Sequence, residues 1–183
     1  MTALNSILVL LAMFLAVFWE AAFPGIRHLF GAQIDLLPAL MVYASLRTGL
    51  ATMTLAAVLG GLLLDTLSAN PLGVSIAPLF AAGWVIHGQR ELVLRDEPFA
   101  QLVLGLGASA AVPVLTLLLL LTLGRTPLLG WGSLWQWIVM SLGGAVATPV
   151  VFQLFGLLDR ALNYRRAAET SFRPDREIRR GRN

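Results

Sequence analysis

The chain has 183 residues, of which 57% are hydrophobic and 13% charged, and its mean hydropathy is +0.78. A water-soluble fold of this size would lack polar surface, so the bilayer is the implied solvent. The absence of cysteine excludes disulfides, thiolate nucleophiles and cysteine-held metals, and the net charge of +3 does not point to nucleic acid, because the 13 basic residues are all arginine and seven of them crowd between Arg165 and Arg182.

Hydropathy and Gly/Pro punctuation predict six apolar spans, at 4–23, 34–47, 49–67, 73–89, 98–123 and 134–157. The first has no basic leader and no small-x-small cleavage site, so it reads as a retained span and not a signal peptide. Glu20, near its end, is expected to reach the interface by snorkelling. Asp35 opens the second span, where a carboxylate can cap free backbone N–H groups and meets the favourable end of the helix dipole. This span is short and joins the third through Arg47-Thr48-Gly49, which predicts a tight helical hairpin, with a reentrant pair as the rival reading.

The third span carries Ala56 and Gly60, and Ala57 and Gly61, at four-residue spacing, a pattern that lets helix backbones approach closely. Asp65 sits near its C-terminal end, where the dipole disfavours an anion, so a partner is required. That partner is either a local donor among Thr66, Ser68, Asn70 and Gly73, or a polar contact to another helix or another protein. His87, beside Gly88 and Arg90, reads as an anchor at the inner end of the fourth span. Prolines 38, 78, 113 and 149 are expected to interrupt four spans and free carbonyls. Trp131, Trp135 and Trp137 mark an outer interface where the sixth span begins, and Gly143 with Ala147 and Gly144 with Thr148 repeat the small-residue spacing there.

The expected architecture is therefore an all-α polytopic bundle of about six transmembrane helices over residues 1–164, followed by a basic, disordered cytoplasmic tail over 165–183. With both termini cytoplasmic, the inner side holds Arg47, Arg90, Arg95, Arg160 and the tail arginines, and the outer side only Arg27 and Arg125, as the positive-inside rule requires. Such a tail is attracted to anionic lipid by up to about 1 kcal/mol per arginine near the surface. The sequence has no Walker A loop, no HExxH and no paired histidine ligands, so the reading is not an enzyme, with no cofactor and no metal.

The block Asp35-Leu36-Leu37-Pro38, then Arg47-Thr48-Gly49, then Gly60-Gly61-Leu62-Leu63-Leu64-Asp65-Thr66-Leu67-Ser68-Ala69-Asn70-Pro71-Leu72-Gly73 resembles the rod shape-determining MreD family. That family's pattern is an acid opening one helix, a basic turn, then a glycine-bearing helix ending in Asp-x-Leu and a turn closed by Leu-Gly. Length, six spans and Leu157-Leu158-Asp159-Arg160 before a basic tail extend a looser likeness over nearly the whole chain. The resemblance implies a non-enzymatic scaffold of the bacterial inner membrane that binds the transmembrane helix of MreC. MreB, RodA and a class B penicillin-binding protein are further implied partners. It also implies Asp35, Arg47, Gly60, Gly61, Asp65, Leu72 and Gly73 as candidate contact or support residues. The family's fold is said to resemble the substrate-binding subunits of energy-coupling-factor vitamin transporters, which supplies the alternative function.

Overall fold

The computed structural model describes residues 3–22, 31–68, 70–90, 97–125 and 130–170, with side chains from 4 to 161 within those ranges. Arg27, Arg95 and the tail from 171 lie outside the described residues. Six α-helices are described: α1 (Ala3–Ala22), α2 (Leu37–Arg47), α3 (Leu50–Leu67), α4 (Ile76–Gly88), α5 (Pro98–Thr122) and α6 (Trp131–Thr170). No strand occurs among the described residues. By its internal contacts the chain divides into residues 1–151 and residues 152–183.

Four helices are long and apolar enough to cross a membrane, over Leu4–Ala22, Leu50–Leu67, Pro98–Thr122 and Trp131–Ala161. The chain is a multi-pass helical membrane protein. Its outward faces agree: Phe14, Phe18, Leu55, Val103, Leu118 and Val146 are all exposed, an arrangement that water would penalise and lipid favours.

The other two helices are short. α2 has 11 residues, which at 1.5 Å each span about 16 Å, roughly half a hydrocarbon core. It is nevertheless the centre of the first unit, since every residue from Leu37 to Leu46 is buried. α2 packs against α1, α3, α4 and α5, so its walls are protein and not lipid. α4, at 13 residues, packs against α2, α3 and α5.

Contacts fix an alternating course. The hydroxyls of Ser6 and Thr52, early in α1 and α3, meet at 2.8 Å, and late in α1 Glu20 reaches the start of α2. The C-terminal ends of α2 and α4 meet where His87 reaches Ser45. α5 and α6 run antiparallel, with Trp137 Nε1 donating to the Ala110 carbonyl at 3.0 Å and Gly105 against Thr148. Arg47 and Arg90 therefore mark one end of the unit, and Glu20, Asp35 and Asp65 the other.

The four prolines act in two ways. Pro38 and Pro78 fall in the first turns of α2 and α4, where the missing N–H has no intrahelical partner to lose, so they start helices and interrupt nothing. Pro113 and Pro149 do lie inside α5 and α6, as expected. The sixth helix begins at Trp131 and continues to Thr170, so the backbone is helical over the first six residues of the segment read as tail.

Candidate functional site

The connection from α3 to α4 is built around Asp65, which is 2% exposed. Its Oδ2 accepts the Gly73 N–H at 2.7 Å and the Ser75 N–H at 3.2 Å, and its Oδ1 accepts the Ser75 hydroxyl at 2.6 Å. The anion sits badly on its own helix and well on the next, because these donors cluster at the N-terminus of α4. Both sequence alternatives thus meet in one contact: Gly73 belongs to the turn, and Ser75 stands at the N-terminal boundary of another helix. Gly73 has φ +91°, a left-handed conformation that glycine adopts without cost.

Gly61 permits the approach that makes this contact. A Cβ there would lie 2.8 Å from the backbone nitrogen and Cα of Ile76, at the start of α4. Gly60 faces the other way, where a Cβ would come within 3.2 Å of Leu37 Cδ2 and 3.5 Å of Met13 Sδ. On α6, Gly143 lies against Ile34 and Gly144 against Ser109. The small-residue faces of both helices are occupied from within the chain.

At the same end, α2 begins under two carboxylates. Asp35 Oδ1 accepts the Leu37 N–H at 2.9 Å, and Glu20 Oε1 accepts the Leu36 N–H at 2.6 Å. The expected capping role of Asp35 is realised. Glu20 differs from its expected outward reach, because it turns inward to satisfy a helix start that Leu36 leaves without a side-chain cap of its own.

Beside these groups an open cleft of about 240 Å³ runs between α3, α5 and α6. Asp35, Asn70, Ser75 and Thr116 are its polar lining, and Leu117 and Met140 are among its apolar lining. Sequence reasoning weighed Asn70 and missed Ser75 and Thr116. Ser75 had a usable signal, a serine three residues before Pro78, which reads as a helix start.

The remaining candidates scatter. Leu72 projects from the turn with 70% of its surface exposed. Arg47 closes α2 at the opposite end and does not join the Asp65 group. Near it, His87 Nδ1 lies 2.8 Å from the Ser45 carbonyl and Nε2 lies 3.2 Å from Arg90 Nη1. A guanidinium only donates, so Nε2 accepts and Nδ1 carries the proton that caps α2. His87 holds two helix ends together in addition to any anchoring role. Among the described residues no group of three or more histidines and acids is placed to hold a metal.

No family model, curated protein or solved structure matches the chain.

Proposed function

We propose that the chain is a non-enzymatic scaffold of the bacterial inner membrane, similar to MreD, that binds the transmembrane helix of MreC and helps to organise peptidoglycan synthesis during cell elongation. One observation carries this reading. Within the Asp35 to Gly73 block, buried Asp65 bonds Gly73 and Ser75, Gly61 lets α3 approach the start of α4, and Leu72 stands exposed beside these contacts. An exposed apolar side chain on a braced turn suits a partner contact.

In this reading all six helices cross, with α2 and α4 completing their passage inside a protein wall. Both termini are cytoplasmic, with Arg47 and Arg90 on the inner side and Asp35, Asp65 and Leu72 toward the outer side. The arginine tail lies on anionic lipid.

The test is capture of N-terminally tagged protein from native membranes, with copurifying chains identified by mass spectrometry. Recovery of MreC with wall-synthesis proteins, lost in Leu72→Arg while thermal stability is kept, is the expected result. Recovery of ATPase subunits with a bound metabolite would overturn it in favour of a substrate-binding transporter subunit. That second reading draws on the cleft beside Asp35.

A further inference from the structure

The hydrogen-bonding sense of the cleft can be read group by group. Ser75 Oγ gives its only proton to Asp65 Oδ1 at 2.6 Å, and Thr116 Oγ1 gives its own to the Val112 carbonyl at 2.9 Å. Each hydroxyl has only lone pairs left to offer a ligand. Asp35 is 6% exposed; its Oδ1 takes the Leu37 N–H, and among the described residues Oδ2 takes no hydrogen bond. An ionised carboxylate is an acceptor alone. Asn70, the fourth polar group, can turn its amide oxygen inward.

Ser75 and Thr116 can therefore only accept, as does Asp35 in its ionised form, and a second acid, Glu20, is bonded to the neighbouring N–H of the same helix start. Among the described residues no cation pairs with Asp35. Arg47 and Arg90 are at the far end of the unit, and Arg125 is exposed. The rest of the lining is hydrocarbon, including Leu117 and Met140. Acceptors set among apolar lining complement a group rich in donors, positively charged and attached to a short apolar body.

We propose that this cleft binds a primary ammonium carried on a short apolar group. The volume of about 240 Å³ is below the roughly 300 Å³ at which drug-sized pockets begin, so the occupant is a small amine or the head of a larger amphiphile. A free alkylamine and the ammonium headgroup of phosphatidylethanolamine share this chemistry. The inference rests on the cleft and holds for either function above.

The test uses the full chain in neutral detergent, titrated calorimetrically and by thermal shift with n-hexylammonium chloride. Hexan-1-ol and sodium hexanesulfonate at matched ionic strength are the controls. Asp35→Asn keeps an oxygen for the Leu37 N–H and removes the charge. Met140→Trp fills the apolar lining independently of Asp35. The expected result is saturable binding of the ammonium alone, weakened about tenfold or more in both variants, which retain the unliganded melting temperature to within a few degrees. An equal response to all three probes, or unchanged affinity in a folded Asp35→Asn or Met140→Trp protein, would overturn the proposal. Repeating the titration in phosphatidylcholine nanodiscs with and without phosphatidylethanolamine assigns the source. Competition by phosphatidylethanolamine supports the headgroup, and undiminished binding supports a free amine.

Discussion

Neighbouring glycines in α3 have different neighbours, and that difference can be measured. A methyl group at Gly61 meets Ile76 backbone at 2.8 Å, which cannot move without displacing the start of α4. A methyl at Gly60 meets the end of the Leu37 side chain at 3.2 Å, which can rotate. Gly61→Ala is expected to cost about 1–3 kcal/mol and Gly60→Ala less than about 1 kcal/mol, read from unfolding in mixed micelles. Asp65 invites a second comparison. Asp65→Ala strands the N–H groups of Gly73 and Ser75, an expected loss of about 1–3 kcal/mol, and Ser75→Ala removes a single bond, about 1 kcal/mol. A double-mutant cycle between the two should show coupling, because they act through one contact; strict additivity would refute the arrangement.

Among the elements, α2 depends most on its neighbours. Its N-terminal donors are met by Glu20 and Asp35 and its C-terminal carbonyl by His87, all three from outside the helix. His87→Ala should destabilise the protein by about 1 kcal/mol, and nitrogen NMR of labelled histidine should show the Nδ1–H tautomer for His87. The sequence displayed α2 as a short apolar run opened by an acid, because local hydropathy and dipole chemistry are one-dimensional properties. It did not display Glu20 or His87 as caps, since both act across 16 and 42 residues of chain. Prolines 38 and 78 were misjudged for a related reason. Whether a proline starts or breaks a helix depends on a boundary, and boundaries in continuous apolar sequence are blurred by about 2–4 residues.

For the whole molecule, hydropathy made the membrane class and the helical order legible, because in lipid the backbone has few other ways to satisfy its hydrogen bonds. The cleft was not legible, since its lining comes from four separate stretches of chain. Alternation of the helices predicts that cysteines introduced at Arg90 and Leu72 label from opposite sides of sealed vesicles, a clean experiment in a chain with no native cysteine. Labelling of both from one side would disprove the six-crossing reading.

The complete burial of α2 has a consequence for biogenesis. Eleven residues, opened by Asp35 and closed by Arg47, make a weak stop for the insertion machinery when α2 emerges alone. In the six-crossing reading its passage into the membrane waits on α3, to which the chain ties it through Thr48 and Gly49. Nascent chains arrested with only α2 outside the ribosome should remain extractable at that segment, and chains long enough to release α3 should insert the two as a pair.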